Sequence, residues 1–217
     1  MARFVLVHGA WHGGWCFDAL AAELVARGHE AFAPDLPCDD VGLTPPDYAR
    51  IVGPQPEAVV VGHSLGGLTI PFVPARLRVY LAAILPLEGV FRDALCASFG
   101  GTERDGQGRS YWPDVDTAAA RLYPDCDRAT AAWAYARLRP QAPLEPQACP
   151  LAPDDVFVAC LRDAAVDPGW QLRTGRELFE RAESLDAGHF PFLTHPAATA
   201  DLLVSLAPPS LERLDAH

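Results

Sequence analysis

Ala58-Val59-Val60-Val61-Gly62-His63-Ser64-Leu65-Gly66-Gly67 decides how the rest of the chain is read. Four apolar residues with a β-branched majority form a buried strand. A GxSxG pentapeptide then turns the chain sharply into a helical segment. Glycines at 62 and 66 remove side chains that would clash in such a turn, and the turn lifts the Ser64 hydroxyl above the sheet, where a base can reach it. Ser64 could instead be a helix cap, a position serine favours. The flanking glycines and the preceding strand favour a nucleophile.

Outward from this stretch, strand-like runs recur at Phe4–Val7, Glu30–Ala33, Arg78–Leu85, Val156–Cys160 and Ala182–Leu185. Several are continuous rather than alternating, as in parallel strands buried on both faces. Helical segments are expected at Cys16–Arg27, Leu65–Ala75, Gln171–Arg181 and Pro196–Leu206. Pro71 and Pro74 should shorten or bend the second of these. The β–α alternation predicts a mostly parallel sheet of about six strands with helices on both faces and ligands at the strands' carboxyl ends. Residues 87–153 break the rhythm and are expected to be a lid insertion over those ends. Its Gly-rich stretch 100–108 is expected to be a flexible loop, with helices at Thr117–Tyr123 and Arg128–Leu138. The chain as a whole, 1–217, reads as one domain with its core in 1–86 and 154–217.

A nucleophilic serine needs a base and a group to orient that base. His189, in Ala187-Gly188-His189-Phe190-Pro191 after the last strand, is the candidate base. It is preferred over His8, His12, His29, His63, His195 and His217. His8 and His12 read as structural or substrate-lining, and His195 as a cap of the final helix. Asp163, just past the strand at Val156–Cys160, is the candidate orienting carboxylate, with Asp167 its rival. The order Ser64, Asp163, His189 agrees with a strand–turn–helix nucleophile. Oxyanion donors are expected from the backbone N–H groups of Leu65 and of Ala10 in His8-Gly9-Ala10-Trp11. Trp11 and Phe190 are the candidate substrate-lining residues. Trp112, Tyr111 and Trp133 read as core packing as readily as pocket.

The net charge of −11 disfavours nucleic acid and anionic membranes as partners. No apolar run approaches the ~18 residues of a membrane span, and the N-terminus lacks the build of a secretion signal, so a cytoplasmic location is expected. All 17 basic residues are arginine, as in a GC-rich bacterial genome. The six cysteines show no metal-ligand spacing and are expected to be reduced thiols. No phosphate-binding glycine motif is present.

Three stretches, residues 4–15, 61–67 and 187–192, resemble the α/β-hydrolase superfamily, and within it the plant methylesterase and hydroxynitrile lyase group with its bacterial relatives. The resemblance implies a Ser64–His189–Asp163 triad and no cofactor or metal. Lyases of the group typically carry Thr where this chain has Gly9, and Lys where it has Phe190. It therefore implies an esterase acting on small to medium apolar carboxylic esters as a monomer or homodimer, with a lyase-type or other non-hydrolytic use of the triad as the alternative.

Overall fold

The computed structural model describes residues 1–87 and 100–209. Among these, β1 (Arg3–Val7), β2 (Glu30–Phe32), β3 (Gln55–His63), β4 (Ala75–Leu81), β7 (Val156–Cys160) and β8 (Arg181–Leu185) form one sheet in the order β2-β1-β3-β4-β7-β8. Every pairing in it is parallel. The continuous apolar runs are its centre. Phe4 to Val7 are wholly inaccessible, and all five residues of β7 are buried.

The helices are α1 (Asp18–Ala26), α2 (Pro45–Val52), α3 (Val115–Leu122), α4 (Arg128–Tyr135), α5 (Pro168–Leu178), the short α6 (Pro191–Thr194) and α7 (Pro196–Leu206). Helix α2 has no counterpart in the sequence reading. It starts with a capping box, in which the Thr44 N–H and hydroxyl both donate to Asp47 Oδ2 at 2.8 and 2.5 Å. Pro45 follows in the first turn, where its missing N–H costs nothing. At the other end of the chain, α7 packs on α1, with Asp201 accepting from Arg27 Nε at 2.7 Å.

Three expectations are corrected. The segment after Ser64 is not an α-helix. It forms two 3-10 turns, Ser64–Leu68 and Ile70–Phe72, because Pro71 and Pro74 remove the donors a continuous helix needs. The fourth strand runs Ala75–Leu81 rather than Arg78–Leu85, and ends at Ala82 with φ +45°. The Gly-rich stretch is a hairpin, β5 (Glu103–Arg104) with β6 (Ser110–Tyr111). Its turn closes on Asp105 Oδ1, which accepts the N–H groups of Gln107 and Arg109 at 2.9 and 3.0 Å. The beginning of the expected insertion falls in 88–99, outside the described residues, as does His217.

Register positions the site. Val7 pairs with Gly62, His63 with Leu81, and Cys160 with Leu185. The carboxyl ends of β1, β3, β7 and β8 therefore lie along one edge. The residues that follow them, from His8, Ser64, Leu161 and Asp186 onward, emerge together.

Candidate active site

Ser64 sits in the left-handed backbone region, φ +51°, which serine rarely adopts. It is the one residue between Ala58 and Ile70 that is not buried. Such an outlier at a strand end makes this turn a candidate functional site. The turn is held tightly from behind. A Cβ on Gly66 would lie 2.6 Å from the Val7 carbonyl oxygen, and one on Gly67 would collide with the Ile84 carbonyl oxygen. The Ser64 carbonyl accepts the Ile84 N–H at 3.0 Å. Leu65 is the second residue of the 3-10 turn, so its N–H belongs to the orphan donors at a helix start.

His189 and Asp163 are joined by a 2.6 Å hydrogen bond from Nδ1 to Oδ2, with both side chains buried. Because Nδ1 donates to a carboxylate, the free Nε2 is the basic nitrogen. The Asp163 carboxylate is fully served. Oδ1 accepts the N–H groups of Ala165 and Val166 at 2.7 and 2.9 Å, and Oδ2 also accepts from Gln171 Nε2 at 2.8 Å. The rival Asp167 is committed elsewhere, capping α5 through the Trp170 N–H at 2.6 Å.

The base loop rests on the serine turn. His63 Nε2 donates to the His189 carbonyl at 2.8 Å, and the two rings lie 4.6 Å apart. Burial holds the His63 pKa well below its ordinary value, so this ring stays neutral. His8 and His12 are neutral for the same reason, with pKa values pushed down to about 4 and about 3. His8 Nδ1 donates to the Gly9 carbonyl at 2.9 Å, and its Nε2 accepts the Leu36 N–H at 2.9 Å. His195 stands at the start of α7, capping through its carbonyl, which accepts the Thr199 N–H at 2.9 Å; its ring instead meets the Thr194 hydroxyl.

Ala10 lies in the loop after β1, next to Trp11, whose φ is +63°. The insertion clamps this strained loop. The Trp11 carbonyl accepts the Arg139 N–H at 2.8 Å, and its indole Nε1 donates to the Ser110 carbonyl at 3.0 Å. The Trp11 ring also meets Trp112 edge-on at 5.4 Å. Phe190 is 2% exposed and packs at 4.3 Å on His12 and 4.6 Å on His63. Its place is therefore packing under the base loop. Trp133, by contrast, is 39% exposed. A narrow cavity next to the serine turn is lined by Gly9, Leu65, Cys38, Tyr48 and Leu144.

Sequence reasoning missed Gln171, which is wholly buried and bridges Asp163 to β7 by accepting the Cys160 N–H at 2.9 Å. It also missed Asp125 and Tyr123 of the insertion. No spacing signal marks these three: Asp125 and Tyr123 act across the fold, and Gln171, though near Asp163 in sequence, belongs to no recognisable motif. Among the described residues, no three His, Cys, Asp or Glu side chains converge to hold a metal ion.

Comparison with known proteins places this architecture. A carbendazim-hydrolysing esterase from Nocardioides is 39% identical over 110 residues, covering 41% of this chain and 45% of that protein. Methylesterase 7 of Arabidopsis thaliana is 30% identical over 105 residues, covering 39% and 40%. These matches thus span less than half the length of the curated relatives. Among solved structures, polyneuridine aldehyde esterase superposes with a TM-score of 0.77 at 18% identity, covering 96% of this chain and 100% of that one. A pyrethroid hydrolase from Sphingobium faniae superposes with a TM-score of 0.75 at 22% identity, covering 94% and 96%. At such identities the likeness is one of fold. The family assignment comes from a match that runs through both the serine turn and the base loop, residues 4–202: the chain belongs to the alpha/beta hydrolase family.

Proposed function

We propose that this protein is a serine hydrolase that cleaves small to medium apolar carboxylic esters through an acyl-enzyme. The observation that carries the reading is the 2.6 Å bond from His189 to Asp163, on a loop packed against the turn that holds a strained, accessible Ser64. In this reading Ser64 Oγ attacks the ester carbonyl while His189 Nε2 takes its proton. Asp163 stays ionised and steadies the imidazolium. The N–H groups of Ala10 and Leu65 receive the oxyanion, a contribution of about 10²–10³ in turnover per donor. The protonated His189 then releases the alcohol, and water activated by the same ring frees the acid.

The names of the relatives support ester cleavage. Two features weigh against the lyase alternative. A Cβ at position 9 would lie 2.8 Å from the Ser64 Cβ, so the threonine of the lyases has no room here. Phe190 brings no charge to stabilise a departing cyanide. No helix among the described residues is long and apolar enough to cross a membrane. The test is turnover of p-nitrophenyl butyrate by the wild-type chain and by Ser64→Ala. A loss of at least about 10³-fold is expected, and equal rates refute the reading.

A further inference from the structure

Two hydrogen bonds leave one corner of the insertion and end on opposite halves of the site. The corner is Tyr123-Pro124-Asp125, between α3 and α4. The Tyr123 hydroxyl donates to Nε2 of the buried His12 at 2.6 Å. With Nε2 accepting, the ring proton is on Nδ1, which donates to the Ala10 carbonyl at 2.7 Å. Burial keeps His12 neutral at working pH, so the ring carries one proton, and the Ala10 carbonyl holds it on Nδ1. A hydroxyl of the insertion thereby orients the peptide group next to the proposed oxyanion donor.

Asp125 reaches the other half. Its Oδ2 accepts the Gly188 N–H at 2.7 Å and the Thr194 hydroxyl at 3.2 Å, on either side of His189. The fit is close, for a Cβ on Gly188 would collide with the carboxylate. Its Oδ1 is buried with no partner among the described residues. A carboxylate so placed costs stability, and what it supplies in return is a fixed backbone beside the base.

We propose that Tyr123 and Asp125 are positioning residues, the first for the oxyanion loop and the second for the base loop, so that the insertion sets the geometry of the site. The inference rests on the serine-hydrolase reading. A displacement of about 1 Å in such groups costs up to ~10²-fold in turnover.

The test uses the full chain with p-nitrophenyl butyrate, reading kcat, KM and the melting temperature. Asp125→Ala should lower kcat about 10- to 100-fold and leave KM within about twofold. Asp125→Asn keeps an oxygen for the Gly188 N–H, and should restore kcat to within about threefold of wild type. Tyr123→Phe keeps the ring packing, loses only the hydroxyl, and should lower kcat about tenfold at constant KM. It carries the same test should Asp125→Ala fail to fold. Folded variants with wild-type kcat, a change in KM alone, or Asp125→Asn as slow as Asp125→Ala would each overturn the inference. A wild-type chain that neither turns over the ester nor is labelled at Ser64 by a fluorophosphonate refutes the hydrolase reading itself, and this inference with it. An active, labelled wild type with unaffected variants refutes the inference alone.

Discussion

Replacing Gln171 with methionine keeps the side-chain volume nearly constant and removes both polar ends of a wholly buried group. The glutamine donates to Asp163 Oδ2 at 2.8 Å and to the Val166 carbonyl at 3.0 Å, and accepts the Cys160 N–H at 2.9 Å. In Gln171→Met, Asp163 keeps its bonds from Ala165, Val166 and His189, but loses a charge-assisted one worth about 1.5–3 kcal/mol. The Cys160 N–H is stranded inside the sheet, which costs a further ~1–3 kcal/mol. The loss of about 2.5–6 kcal/mol falls on a domain whose total stability is of order 5–15 kcal/mol. For a chain of this size it corresponds to a melting point lower by about 5–24 °C. Turnover should fall far less than in a variant lacking Asp163, because the His189 bond survives. Calorimetry and urea titration of the wild type and the variant measure the cost. A melting point within about 2 °C of wild type would refute the claim that Gln171 is what satisfies this buried corner.

Gly9→Ala places a Cβ 2.8 Å from the Ser64 Cβ and 3.1 Å from the His63 carbonyl oxygen. Overpacking of about 1–3 kcal/mol and a loss in kcat of about 10²-fold are expected. A kcat within threefold of wild type would show that the serine turn has slack. The buried histidines give a pH dependence. His8 and His12 titrate at about 4 and about 3 in the fold, against 6.5 when exposed, so below 6.5 the unfolded chain takes protons that the fold refuses. Their contribution is complete above that value and falls as the pH drops, by about 2 kcal/mol per ring at pH 5. Urea midpoints should be flat above pH 7 and decline from 6.5 to 5. A flat profile across that interval would show the rings to be solvated.

The strands were legible because a parallel strand buried on both faces writes itself as an unbroken apolar run. Val156–Cys160 agrees to the residue, and Ala58–Val61 lies inside β3. The candidate site was legible for a related reason: Ser64 and Asp163 follow such runs, His189 follows the more exposed edge strand β8, and strand ends converge. Helix α2 left a signal in Thr44-Pro45-Pro46-Asp47 that hydrophobic periodicity alone passed over. The segment after Ser64 has helical periodicity, but its prolines divide it into two turns. Asp125, Tyr123 and His12 were illegible as partners, because their bonds span 63, 111 and 111 positions and depend on how the insertion folds back, whereas Gln171 reaches Asp163 from only 8 positions away but carries no motif that sets it apart from a surface glutamine. Phe190 illustrates the reverse case. Its place beside the base suggested a pocket wall, and the ring turns inward instead.

The three glycines around Ser64 differ in how freely the chain can drift at each. At Gly62 the nearest obstacles to a Cβ are the Ile70 side-chain carbons at 2.8 and 2.9 Å, which a smaller residue at 70 would withdraw, followed by the Gly66 carbonyl oxygen at 3.0 Å. At Gly66 and Gly67 the obstacles are carbonyl oxygens of Val7 and Ile84, main-chain atoms that no substitution removes. A lineage of this protein can therefore exchange the first glycine of the pentapeptide only through a paired change at position 70 together with a small shift of the Gly66 carbonyl. It cannot exchange the second without moving β1. Gly67, one residue outside the pentapeptide, is bound by the same kind of obstacle, so the unit under selection is longer than the motif by which it is recognised.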